Sequence, residues 1–300
     1  MSVSPSPPVP QVRPKHNRMF DVPEHRLMLV EGSPFHLLVA FAGISKMFRS
    51  IAQDIVYRRF HRALAHFLPE ISIPIFLKFL DITKSGISSD VPLSILMPDV
   101  FRTTSPRHLV IQAPCDKGWE WLLVLFRMGY TDSQVVNDAD FIRLQVGKVA
   151  CTWRVTRPEL DDQIFIIEGA QQNILVSLTA SHFTSEMNVI TSTAIYSLYP
   201  ALTEARIGLP TFSRIKTTDT EAYSKLQLTL LDNLADFGRP CGASCMGIWR
   251  YTRDLAFVGR FHWQLGFDDD NMEDDDYQWR LHRECVNLKC RNAFKVVRGL

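Results

Sequence analysis

Between residues 35 and 68 apolar side chains return every three or four positions: Leu37, Leu38, Phe41, Ile44, Met47, Phe48, Ile51, Ile55, Val56, Phe60, Leu64 and Phe67. That period lines one face of a helix. One or two helices are predicted over 35–69, with a break at Gly43 and an end before Pro69. Residues 73–81 read as a short helix with Pro74 in its first turn and Phe76, Leu77, Phe79 and Leu80 turned inward. Residues 84–89 form a Gly/Ser turn, and 91–97 a second helix. The period then changes. Residues 108–113 read as a strand, and 118–128 as a helix rich in Trp and Leu that Gly129 closes. Its Trp119, Trp121 and Phe126 are expected in the core. Three further strand candidates follow at 141–146, 150–155 and 163–168, each short, apolar and bounded by turn residues. A helix-rich part resumes near 187, and 225–235 is amphipathic. Residues 236–300 look irregular, and no internal repeat is visible. Helices first, then strands mixed with helices, imply an α/β or α+β fold with a small mixed sheet.

Composition adjusts this picture at a few points. The chain has 300 residues, 46% hydrophobic and 22% charged, which suffices for a sizeable core. Residues 1–20 hold Pro5, Pro7, Pro8, Pro10 and Pro14 and few apolar groups, so a disordered tail is expected there. Its lack of an apolar run argues against a secretory signal. No apolar stretch approaches the roughly 20 residues that span a bilayer, so a soluble intracellular protein, cytoplasmic or nuclear, is expected. A net charge of +1 argues against a basic coat for nucleic acid. Arg49, Arg58, Arg59 and Arg62 read as the wet face of the first helices. The acids between Asp268 and Asp276 read as a solvated loop, because like charges repel and the calcium-loop pattern is missing.

Six cysteines are too few for a disulfide scaffold. Four of them fall into two pairs, Cys241-x3-Cys245 and Cys285-x4-Cys290. The spacing permits a structural zinc site, with Gly238 and Gly242 easing a tight loop and His262 and His282 as spare ligands. Buried thiols are the simpler expectation, since free cysteine behaves as a small hydrophobe, and a disulfide is a third. Local sequence favours no Cys–His catalytic pairing, and no Walker loop, Gly-x-Gly-x-x-Gly or Gly-x-Ser-x-Gly motif is present.

Residues 73–209 resemble a group of proteins from mushroom-forming fungi (basidiomycetes) with a nucleotidyltransferase-like core. In that group a helix leads to a turn of the form T-G-S-V-I-S-G-S, then a helix, then a strand of the form D-L-D-I-Y-V-P. Here the turn is Thr83-Lys84-Ser85-Gly86-Ile87-Ser88-Ser89 and the strand is His108-Leu109-Val110-Ile111-Gln112-Ala113-Pro114. The best match is Met187-Asn188-Val189-Ile190 followed by Tyr196-Ser197-Leu198-Tyr199-Pro200-Ala201-Leu202-Thr203. The resemblance implies a nucleotidyltransferase-like core over 70–235, between the helical segment 35–69 and an extension over 236–300. It also implies a phosphate- or nucleotide-binding turn at Ser85, Gly86, Ser88 and Ser89. Nucleotidyl transfer needs two carboxylates two residues apart on a strand and a third nearby, which together hold two Mg²⁺ ions. His108 and Val110 stand where Asp-x-Asp is expected, and Ser88-Ser89 where Gly-Ser is. Glu168 is the remaining acid for the third position. The reading is therefore a non-catalytic binding or scaffold module on a degenerate fold. A divergent Mg²⁺-dependent nucleotidyltransferase is the enzyme alternative.

Residues 41–52 are similar to the later half of an F-box, whose leading half is matched only by Val22-Pro23-Glu24. That resemblance implies a substrate receptor for ubiquitin ligation, docking a protein partner through exposed Ile44, Met47, Phe48 and Ile51. Packing onto the chain's own core would bury the same four residues.

Overall fold

The computed structural model describes residues 31–102, 104–136, 147–158, 160–211, 217–235, 240–252, 258–263, 277–281 and 285–293. The Pro-rich tail, Val22-Pro23-Glu24, the strand expected over 141–146, the acid run at 268–276 and His282 lie outside them.

Eight helices are present among the described residues: α1 (Phe35–Ile44), α2 (Lys46–Leu64), α3 (Ile73–Ile82), α4 (Asp90–Leu96), α5 (Gly118–Arg127), α6 (Ile174–Leu178), α7 (Pro200–Glu204) and α8 (Thr217–Lys225). The first two are the expected pair, but the break falls at Ser45. Gly43 is helical, whereas Ser45 is extended and its hydroxyl accepts the Phe48 amide at 3.3 Å, capping α2. Gly129, at φ 94°, takes the left-handed turn that closes α5. Residues 226–235 are not helical; after α8 the chain turns into the short strand β9 (Thr229–Leu230).

The main sheet is mixed and larger than expected. It contains β1 (Gly86–Ser88), β2 (His108–Ala113), β3 (Asp132–Val135), β4 (Val149–Arg157), β5 (Leu160–Gly169), β6 (Asn188–Ile190), β7 (Ala194–Ser197) and β11 (Gly259–His262). Their order is β11-β7-β6-β1-β2-β5-β4-β3. The β2/β5 pair is parallel and the other pairs are antiparallel. Two small pairs complete the strands: β8 (Ile207–Gly208) with β9, and β10 (Arg250–Tyr251) with β12 (Gln278–Trp279). Because β11 adds itself to β7, part of the region read as irregular belongs to the sheet. The part expected to be helix-rich from about 187 begins with the strands β6 and β7 instead, since β1 and β11 pair with them.

Alternation along the strands divides the sheet into two faces. Leu109, Ile111, Ile164, Ile166, Ile190 and Ile195 turn to one core with α1, α2, α3 and α5. Val189 and Tyr196 turn to a second core with α6, α7 and the C-terminal cysteines. Trp121 anchors the first. It is fully buried, its ring lies 5.0 Å from Phe76 and 4.7 Å from Phe79, and its Nε1 donates to Ser85 Oγ at 2.8 Å. Trp119 and Phe126 were expected beside it. They lie instead on the opposite side of α5 and are exposed, because Trp121, Leu122 and Leu125 already cover the sheet. Leu77 and Phe79 of α3 are half-buried, flanking the buried Phe76 and Leu80.

Candidate functional site

The second face of the sheet, beside α6, holds a cleft of about 330 Å³. Val110 and Gln112 reach it from β2, and Phe165 and Ile167 from β5, two residues apart on each strand. Ser88, Ser89 and His108 stand on one side, and Ser177, Ser181, His182 and Glu186 on another. This is where an Asp-x-Asp strand would present its carboxylates. The side chains actually there are an imidazole and an isopropyl group. His108 packs edge-on against Phe165, with centroids 5.4 Å apart, and its buried Nδ1 has no hydrogen-bond partner. Burial lowers its pKa, the nearby Asp90 raises it, and Arg107 lowers it, with a net fall.

The floor is a row of three hydrogen-bonded side chains. Ser177 Oγ donates to Gln112 Oε1 at 2.9 Å, and Gln112 Nε2 donates to Ser88 Oγ at 2.9 Å. Glu186 is the only acid among the described lining residues, and it is committed elsewhere. One oxygen accepts the amides of His182 (3.0 Å) and Phe183 (3.3 Å), and the other accepts the Tyr223 hydroxyl. No lysine or arginine is among the described lining residues.

Three placements differ from the sequence reading. Residues 86–88 are a strand, not a turn: Gly86 pairs with Gln112, and Ile87 and Ser88 pair with neighbours on both sides. Their amides are therefore taken up by the sheet and are not free to cradle a phosphate. Gly86 is required by a close approach, since a Cβ there would stand 2.5 Å from Val189 Cγ2. Ser85 is buried and held by Trp121 and Thr83, so of the four turn residues only Ser88 and Ser89 reach the cleft. Ser89 adopts φ 68°, the conformation a glycine would take at no cost. Glu168 is displaced as well. His108 pairs with Gln163 but Ala113 with Glu168, so Glu168 stands at the far end of the ladder, roughly 17 Å away at about 3.3 Å per residue. Phe165 is the residue beside Val110.

The four C-terminal cysteines do meet. Cys241 opens a tight turn over Gly242–Ser244 that Cys245 closes, with Gly242 at φ 55°. A second loop brings Cys285 and Cys290 together, through Cys290 N to Asn287 O (2.9 Å) and Cys285 N to Asn292 O (3.0 Å). All four sulfurs lie within 4.8 Å of one another and all four residues are buried. Cys241–Cys285 is 3.5 Å and Cys245–Cys290 is 3.6 Å, far beyond the roughly 2.05 Å of a disulfide. The separations match the edge of a tetrahedron with metal–sulfur bonds of about 2.3 Å, near 3.8 Å. Asn287 Nδ2 reaches Cys241 Sγ at 3.3 Å, and Asn292 Nδ2 reaches Cys245 Sγ at 3.6 Å. Burial pushes the Cys245 and Cys285 thiols up to about 11. A divalent cation among them would reverse that shift by favouring thiolates. This cluster is the only group of three or more potential metal ligands among the described residues. His262 is not in it.

The N-terminal helices are divided. Ile44 is 65% exposed and Met47 46%. Phe48 is half-buried, stacked on Phe41 at 6.0 Å, and Ile51 packs against the main core. No helix among the described residues is long and apolar enough to cross a membrane. No protein-family model, curated protein or solved structure matches this chain.

Proposed function

We propose that the chain is a non-catalytic binding module on a nucleotidyltransferase-like core, and that its cleft takes an uncharged, hydrogen-bonding ligand of nucleoside type. The observation that supports this is the lining at the place of the metal carboxylates. Val110 and Phe165 ligate no hard cation, and His108 is a poor Mg²⁺ ligand. Glu186 has both oxygens occupied. The hydroxyl and amide groups of Ser88, Gln112 and Ser177, with His108 Nδ1, suit a base or ribose better than a triphosphate. Thermal unfolding with ATP, GTP, CTP, UTP and the four nucleosides, each with and without Mg²⁺, tests the reading. A nucleoside at 100 times its Kd should add about 2.7 kcal/mol without Mg²⁺. A rise that needs Mg²⁺ and a triphosphate would revive nucleotidyl transfer. No rise with any of these would remove the ligand class.

The same reading includes a structural zinc ion held by Cys241, Cys245, Cys285 and Cys290. A closed four-thiolate set leaves no open position for substrate, so its role is to fasten the C-terminal loops to the second core. Elemental analysis of the purified protein should find one zinc per chain. Four titratable thiols and no metal, even after zinc is supplied, would overturn it.

Exposed Ile44 and Met47 favour a second reading, in which the joint between α1 and α2 docks a protein partner of F-box-adaptor type. Ile44→Ser with Met47→Ser should abolish capture of a purified adaptor while leaving Tm unchanged. Equal capture by the variant would remove this reading.

A further inference from the structure

A larger cleft, of about 680 Å³, opens between the C-terminal half of α2, α4, Pro98, Phe101 and residues 104–106. Its lining is basic on one side. Arg59 and Arg62 on α2 and His66 just past its end follow at intervals of three and four, so they share one face. Ser105 offers a hydroxyl, Thr104 already donates its own to Val100 O at 3.3 Å, and Phe101 forms an apolar wall. Glu31 is the only acid among the described lining residues. Its contact with Arg62 is 3.4 Å long between two side chains that are largely exposed, so it neutralises little.

Arg59 is the unusual member. It was expected on the wet face, yet it is only 8% exposed. Its partners are backbone carbonyls: Nη2 donates to Glu31 O (2.6 Å) and Ser33 O (2.7 Å), and Nη1 to Ile95 O (3.4 Å). None is an anion; the Glu31 carboxylate is near enough to favour its charge, but no carboxylate forms an ion pair with it among the described residues. Buried charges are as a rule paired, because an unpaired one loses its hydration without a counter-charge. The desolvation is severe enough to bring this guanidinium down to about 10. The carbonyls fix the fork in place and leave the second Nη1 proton without an acceptor. A fixed, desolvated guanidinium with one free Nη1 proton, beside a second guanidinium, suits a charge-assisted contact to phosphate.

We propose that this cleft binds a phosphomonoester, with the phosphate between Arg59 and Arg62 and an aromatic or other flat body against Phe101. The volume far exceeds a bare phosphate, which is why an ester is the better fit. His66 and the Ser105 hydroxyl complete the cradle. The site is separate from the cleft over β2 and does not depend on what that cleft binds.

Calorimetric titration of the full chain with phenyl phosphate and with inorganic phosphate tests this. Phenyl phosphate should bind measurably, and inorganic phosphate more weakly. Arg62→Gln should lower the phenyl phosphate affinity about tenfold or more, as loss of a charge-assisted bond implies. Arg58→Gln, on the same helix but outside the cleft, should leave it within about twofold. Arg62 and Arg58 are both solvent-exposed, so both variants should fold, whereas Arg59→Gln removes three backbone contacts and is no fair test alone. No binding of phenyl phosphate would overturn the proposal, as would equal weakening by Arg58→Gln and Arg62→Gln, which would mark diffuse electrostatic attraction.

Discussion

His108 shows most directly how one residue's surroundings set its behaviour. Its ring is wedged against Phe165 in the cleft, and burial holds its pKa below the usual 6.5. An unfolded chain would take up a proton at a pH where the folded chain still resists it. The contribution of this residue to stability is therefore complete above pH 6.5 and is lost as the pH falls through that value towards the lowered folded pKa. His108→Phe should remove this part of the pH dependence. Between pH 7.5 and 5.5 the Tm of the variant should fall less than that of the wild type, and an equal fall would show that other groups carry the effect. Legibility at this scale was mixed. That positions 108 and 110 carry no carboxylates could be read from residue types alone. Glu186 could not, because its role arises from two amides and a tyrosine hydroxyl brought to it by the fold.

At the scale of elements, β1 is the clearest case. Gly86, Ile87 and Ser88 lie in the Gly/Ser-rich stretch 84–89 and looked like part of a turn, since glycine and serine are common in turns. They form a strand because β2 and β6 supply partners on both sides, and a short central strand needs little propensity of its own. Gly86→Ala would place a methyl 2.5 Å from Val189 Cγ2 and 2.9 Å from Ile174 Cδ1. Overpacking of this kind costs about 1–3 kcal/mol, which denaturant unfolding would detect. No loss of stability would mean that the β1/β6 contact relaxes freely. The helices were easier to read, because their apolar period reports directly on the face they bury. Which side of α5 that is was not determined by the period, since Trp119, Leu123 and Phe126 repeat at helical spacing as well as Trp121, Leu122 and Leu125 do.

For the whole molecule, the C-terminal region binds itself to the sheet in two ways. The strand β11 pairs with β7, and the cysteine cluster sits on the second core with Tyr196, Tyr199 and Leu202. Arg250 joins them. Its guanidinium lies 4.1 Å above the Tyr199 ring, and its Nη2 donates to the carbonyls of Ala243 (2.7 Å) and Cys245 (3.1 Å) in the first cysteine loop. Removing the proposed zinc should therefore loosen the second core as well as the loops. A strong chelator, or Cys245→Ser, should lower Tm by on the order of 10 °C, since metal binding energy is folding energy and each kcal/mol moves Tm by about 2–4 °C in a chain of 150–250 residues. An unchanged Tm after complete metal removal would show that the thiols pack as ordinary apolar groups.

The sequence by itself determined the local features: the positions of α1 to α5, the mixed α and β character, the strands at β2, β4 and β5, and the lack of carboxylates at 108 and 110. These depend on residues near one another in the chain, where period and chemistry are visible together. The helix-rich part expected from about 187 begins instead with β6 and β7. Only the tertiary structure decided the rest. Strand pairing moved Glu168 away from His108, burial took Arg59 from the surface into a cleft, and two distant loops brought four sulfurs within 4.8 Å. Each of these depends on residues far apart in sequence, and local patterns carry no information about which distant partner a side chain will meet.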